Sequence, residues 1–340
     1  MLRRDLPLPL TISPEAAQVA HQAENATHRW PLTPRITARL RASGLRSRRD
    51  AVHRLARTTG VDITASQISV DVDGVAVTSL VLTPSTPRWT DDGGADTPSP
   101  DLASAQPWVF WIHGGGFCWG SALDGAAVRL AADLGVPVVS VEYPLAPEHP
   151  YPAGLDGCLA AYRAHVRAWG PRVVLGGQSA GANLALGVLQ RLRSEAGDDG
   201  PEPLGLIAAT PFGDLAGRGD SYSANEGRDP VVRWGGQQER FAKAYRADTP
   251  ATDPFVSPVH ARWDAPAPPT LLTSGTRDLF LSDAVQIAAA LRAAGGEVEL
   301  RIWEGMWHAF ENDASSPEAR ECLRLRADFG RAVLGLAGPA

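Results

Sequence analysis

At 340 residues, with 44% hydrophobic and 21% charged residues, the chain can bury a large core, as roughly two domains or one embellished α/β domain. A formal net charge of -6 at pH 7 gives no footprint for nucleic acid, and the one basic cluster, Arg35 to Arg57, is interleaved with apolar residues as in amphipathic helices. Cys118, Cys158 and Cys322 show neither metal spacing nor a paired framework, which points to a reducing, cytoplasmic setting, and Pro7, Pro9 and Pro14 interrupt any signal peptide or membrane span at the start.

Ser13-Pro14-Glu15 reads as an N-cap followed by proline at the first helical position, opening a helix to about Asn25. Two more helical stretches are expected near 34–42 and 47–58. Strands are expected at 63–70 and 75–82, joined by the hairpin signal Asp73-Gly74, and the Pro-, Ser-, Asp- and Gly-rich stretch 84–106 reads as a long loop. From Trp108 the pattern alternates. Short apolar runs at 109–112, 138–141, 173–175, 206–209, 270–273 and 298–303 read as strands, and 126–134, 155–169 and 182–193 read as helices. Such alternation predicts an α/β fold with a mostly parallel sheet and helices on both faces, whose ligands bind beyond the carboxyl ends of the strands.

The chain is organised around Gly177-Gln178-Ser179-Ala180-Gly181, between an expected strand and an expected helix. This is the pattern of a nucleophile elbow, a sharp turn that holds a serine in a strained conformation where bulkier neighbours would collide. The helix N-terminus behind Ser179 offers N–H groups to a developing oxyanion. A second signal, His113-Gly114-Gly115-Gly116-Phe117, directly follows the strand at 109–112, and its glycines let the backbone approach a bound acyl group. The expected oxyanion donors are the N–H groups of Gly115, Gly116 and Ala180, with His113, Gly114, Gly177 and Gly181 supporting the turns.

A serine nucleophile needs a base and an orienting acid. His308 follows the last expected strand, where a loop can return it to Ser179. His21, His28 and His53 lie in the N-terminal helices, His165 lies on a helix, and His149 and His260 sit in proline-rich loops, so surface or packing roles are expected for them. Asp278 follows the strand at 270–273 and is the expected acid. Its rival, Asp283 in Ser282-Asp283-Ala284, reads as a helix cap. The order Ser179, Asp278, His308 is that of the α/β-hydrolases.

The chain resembles the bacterial hormone-sensitive-lipase-like (family IV) esterases of the α/β-hydrolase fold from about Trp108 to Phe310. The likeness rests on the two glycine motifs, Glu142-Tyr143-Pro144-Leu145-Ala146-Pro147-Glu148, Asp253-Pro254-Phe255-Val256-Ser257-Pro258, and the settings of Asp278 and His308. The resemblance implies an architectural role for the Tyr143 segment and a helical cap built from residues 1–60 and an insertion near 211–250 of the hydrolase domain 61–340. Gln178 departs from the Asp or Thr usual before the serine.

The leading expectation is a serine carboxylic ester hydrolase for small to medium acyl esters, working through an acyl-enzyme without metal or cofactor. Its partner would be a small-molecule ester, with homo-oligomerisation left open. An acyltransferase or lactone-processing enzyme would use the same triad. A non-catalytic binding protein on this fold would be expected to lose a triad member, and this chain keeps Ser179, Asp278 and His308.

Overall fold

The computed structural model describes residues 8–23, 60–72, 75–85, 106–195 and 201–336. The helices expected near 34–42 and 47–58, the Asp73-Gly74 turn and most of the loop 84–106 lie outside them. The described strands are β1 (Ile63–Val72), β2 (Val75–Pro84), β3 (Trp108–Ile112), β4 (Val138–Glu142), β5 (Val173–Gln178), β6 (Gly205–Ala209), β7 (Thr270–Gly275) and β8 (Val298–Trp303). They form one sheet in the order β1-β2-β4-β3-β5-β6-β7-β8. The β1–β2 and β2–β4 pairs are antiparallel and all the others parallel. Every residue of β3, β5, β6 and β7 is buried, which explains why β3, β6 and residues 173–177 of β5 read as continuous apolar runs without alternation.

Helices cover both faces. On one face α2 (Gly125–Leu134) lies with the C-terminal helix α8 (Pro317–Leu334), over a core that includes Val109, Trp111, Val174 and Ile207. On the other, α3 (Ala153–Trp169), α4 (Ala180–Ser194) and α7 (Leu281–Ala293) pack over Phe110, Ile112, Leu175 and Leu272. Between β6 and β7 the chain adds α5 (Asp220–Ala224), a distorted turn at Trp234–Gln238 and α6 (Glu239–Arg246). No described helix is long and apolar enough to cross a membrane.

At the N-terminus, α1 spans Pro14–Ala23. Ser13 caps it as expected, its Oγ accepting from Ala16 N–H at 3.1 Å. The Ser13 N–H and Oγ–H also donate to the two carboxylate oxygens of Glu318 on α8, each at 2.7 Å. Ala16 and Ala20 pack against Trp303, Met306, Trp307 and Phe310. The first described helix is therefore seated on the loop that carries His308.

Candidate active site

β5 ends at Gln178, and Ser179 turns the chain directly into α4, which begins at Ala180, two residues earlier than the sequence suggests. Ser179 has φ 58° and ψ −119°, a conformation rarely adopted by a residue with a side chain and consistent with stored local strain. The turn closes only because its neighbours lack Cβ atoms. A Cβ on Gly177 would strike the Gly181 carbonyl, and one on Gly181 would strike the Ile112 carbonyl at the end of β3. Ser179 N–H donates to Ala209 O at 2.8 Å, fixing the turn to β6.

The loop after β3 lies beside this turn. Gly115 and Gly116 have φ values of +114° and +59°, which suits residues without a Cβ. Gly115 O accepts from Cys118 and Trp119 N–H, closing a tight turn. His113 is held by its neighbours: Nδ1–H donates to Gly114 O at 2.7 Å, and the ring stacks on Tyr143 with centroids 4.3 Å apart. The Tyr143 hydroxyl donates to His113 O at 3.1 Å, so the Tyr143 segment supports the glycine loop from beneath. The Asp253 to Pro258 motif is also tied to the elbow, because Asn183 Nδ2 on α4 donates to Phe212 O and Val256 O at 2.8 and 2.9 Å.

The structure brings the three expected functional side chains together. The Ser179 hydroxyl donates to His308 Nε2 at 2.8 Å, and His308 Nδ1–H donates to Asp278 Oδ1 at 3.1 Å. Asp278 is fully buried and is held by Phe280 N–H on Oδ1 and the Ser274 hydroxyl on Oδ2, both at 2.9 Å. Burial pulls the pKa of His308 down, but the carboxylates of Asp278, Asp229 and Glu311 outweigh it and leave the imidazole above its ordinary value. Ser179 and His308 line a cavity of about 1050 Å³, whose wall also includes Trp119, Val231, Val232 and Phe241. Among the described residues no cluster of His, Cys, Asp and Glu side chains is arranged to hold a metal ion.

Asp283 is not the helix cap its local sequence suggests. α7 begins at Leu281 with Phe280 as its N-cap, which puts Asp283 inside the first turn. Its Oδ2 accepts from Gly213 N–H, Asp214 N–H and the Tyr222 hydroxyl at 2.8, 3.0 and 2.7 Å. Buried N–H groups need acceptors, and here a loop from another part of the chain supplies the donors.

Two features of the site carry no sequence signal. Gln178 is buried, and its Nε2 donates to Glu311 Oε1 at 2.7 Å and Asn312 Oδ1 at 2.9 Å. Glu311 is ion-paired with Arg326 of α8, whose guanidinium also donates to Thr273 Oγ1 at 3.2 Å. The second feature is the fully buried carboxylate of Asp229. The partners of Gln178, and the Leu279 and His308 N–H groups that reach Asp229, come from distant segments that no local spacing marks.

This fold, with a strained serine at the β5–α4 turn, defines the class. The family described as the α/β-hydrolase fold matches residues 109–312, and the chain belongs to it. Within that family it is a hormone-sensitive-lipase-like hydrolase of the carboxylesterase and lipase type. An esterase of Acinetobacter venetianus is 34% identical over 238 residues, spanning 68% of this chain and 77% of its own. An acetyl-hydrolase of Streptomyces hygroscopicus is 31% identical over 232 residues, spanning 67% and 76%. Among solved structures, a hormone-sensitive lipase from a metagenome library has a TM-score of 0.74 at 27% identity, covering 95% of this chain and 99% of its own.

Proposed function

We propose that the chain hydrolyses small to medium acyl esters through a Ser179–His308–Asp278 triad and an acyl-enzyme on Ser179. The observation that supports this most is the unbroken relay from Ser179 Oγ to His308 Nε2 and from His308 Nδ1 to Asp278 Oδ1, at the mouth of the cavity. In this reading Ser179 Oγ attacks the ester carbonyl while His308 Nε2 takes its proton. The Gly115, Gly116 and Ala180 N–H groups hold the oxyanion. Collapse breaks the C–O bond, and His308 returns the proton to the departing alkoxide. Water, deprotonated by His308, then cleaves the acyl-enzyme and restores the serine. Asp278 keeps the imidazole in the tautomer that presents a bare Nε2 to the serine.

Turnover of p-nitrophenyl esters of graded acyl length by the full chain tests this reading. The neutral imidazole is the base, and its pKa is raised. kcat/KM should therefore climb with pH through an apparent pKa above the ordinary histidine value and then level off. A flat profile between pH 5 and 9, with the chemical step limiting, would remove His308 as the base.

We further propose that residues 1–60 and the insertion near 211–250 form a cap that selects the acyl group. The support is that Ala23 at the end of α1, and Val231, Val232 and Phe241 from the insertion, line the cavity. Phe241→Ala should shift preference toward longer acyl chains, mostly by lowering kcat/KM for the short ones. An unchanged chain-length profile would separate the insertion from substrate selection.

A further inference from the structure

Asp229 lies between α5 and the turn at Trp234–Gln238, and it is fully buried. Its carboxylate is saturated by four backbone N–H groups from three segments. Oδ1 accepts from Val231 and Val232 at 2.8 and 3.1 Å. Oδ2 accepts from Leu279, the residue after Asp278, at 3.0 Å, and from His308 itself at 3.1 Å. One side chain thus joins the acid loop, the base loop and a wall of the cavity.

We propose that Asp229 is a positioning residue, a second carboxylate that clamps the Asp278 and His308 loops to the pocket wall and favours the imidazolium formed during turnover. This rests on reading Ser179, His308 and Asp278 as the triad. The titratable and charged groups around the ring are Asp278 from the β7–α7 loop, Asp229 from the insertion, Ser179 from the elbow, and Glu311 with its partner Arg326 from α8. Burial, with the Asp278 charge, pushes Asp229 up to about 6, while His308 and the Val231 and Val232 N–H groups act the other way. Both of its oxygens accept from N–H donors, an arrangement that favours the ionised carboxylate and puts negative charge beside the ring. An asparagine cannot replace it. Its single oxygen can serve one pair of N–H donors, and its NH₂ would face the other pair.

The test uses the full chain with Asp229→Asn and Asp229→Ala, each checked for a cooperative melt. For Asp229→Asn, kcat should fall ~10- to 100-fold, as small misplacements of reacting groups do, with KM little changed. The acid limb of kcat/KM should also move to lower pH, because His308 loses a neighbouring negative charge. Formate should return part of the kcat and part of the limb in Asp229→Ala. A lower kcat with an unmoved limb would make the role structural only and overturn the proposal, as would wild-type kinetics. Loss of the cooperative melt in both variants would overturn it too, by assigning Asp229 to the fold instead of the site. Wild-type turnover and labelling of Ser179 by a fluorophosphonate are the reference. Their absence would overturn the hydrolase reading and this proposal together, whereas their presence with unaltered variants would overturn this proposal alone.

Discussion

Ser179→Ala and His308→Ala should each lower kcat by about 10⁴-fold or more, and the double variant should be little worse, because members of one relay act as a unit. Asp278→Asn should also be severe, on the order of 10⁴-fold, because an amide can face Nδ1 with its NH₂ and favour the wrong imidazole tautomer. Asp283→Asn should leave turnover nearly intact, since that carboxylate serves Gly213, Asp214 and Tyr222 and none of the reacting groups. Its effect should appear in stability. Burial, only partly offset by its three donors, pushes Asp283 up to about 8. The folded state then holds a proton that the unfolded state releases near the ordinary carboxylate value, so this contribution is present at low pH and is lost as pH rises toward about 8. Melting temperatures from pH 5 to 9 should decline less in Asp283→Asn than in the wild type. Substantial esterase activity in Ser179→Ala would remove the nucleophile, and a reversed ranking of Asp278 and Asp283 would move the acid.

The readable parts of the sequence were those in which one short segment contains its own physical reason. β3 and residues 173–177 of β5 are uninterrupted apolar runs because both their faces are buried, and the elbow is readable because Gly177 and Gly181 are needed at fixed offsets from Ser179. Chain order and a place after strands single out His308 and Asp278, and the structure brings both side chains together with Ser179. Ser282-Asp283 resembles a cap, whereas α7 starts earlier and the donors to Asp283 lie 61 to 70 residues away. Helix α8 does carry a local signal, since Ser316 caps it through Ala319 N–H and Pro317 stands at its first position, but nothing in that signal marks Arg326 as a partner of Glu311. Gln178 was noted only as a departure from the usual acidic or threonine residue, and its partners Glu311 and Asn312 lie 133 and 134 positions away. What remained hidden was long-range polar satisfaction, which depends on which distant donor and acceptor share one dry space.

Arg326→Met should lower stability by about 3–5 kcal/mol, the range for removing one partner of a buried ion pair. Arg326 and Glu311 are 1% and 3% exposed, so among the described residues the carboxylate left behind would keep only Gln178 Nε2 as a side-chain donor. The variant should also reverse a pH dependence. Burial alone pushes the Glu311 carboxyl up, but Arg326 outweighs it and holds the group below its ordinary value. In the wild type, Glu311 therefore adds stability above the ordinary carboxylate range, and that stability is lost as pH falls through the depressed value. Without Arg326, burial should prevail and raise the pKa, so that the contribution of Glu311 is lost as pH rises. Glu311→Gln added to Arg326→Met should recover part of the loss, because it removes the stranded charge. A double variant no more stable than Arg326→Met would show that Arg326 acts mainly through the packing of its stem. The pair also bears on turnover. Gln178 precedes Ser179 and Glu311 follows His308 by three residues, so the Gln178–Glu311–Arg326 network holds the end of β5 against the His308 loop. In Arg326→Met, measured well below its melting temperature, kcat should fall while KM changes little. A change in KM alone would mean that the network shapes the cavity and does not align Ser179 with His308.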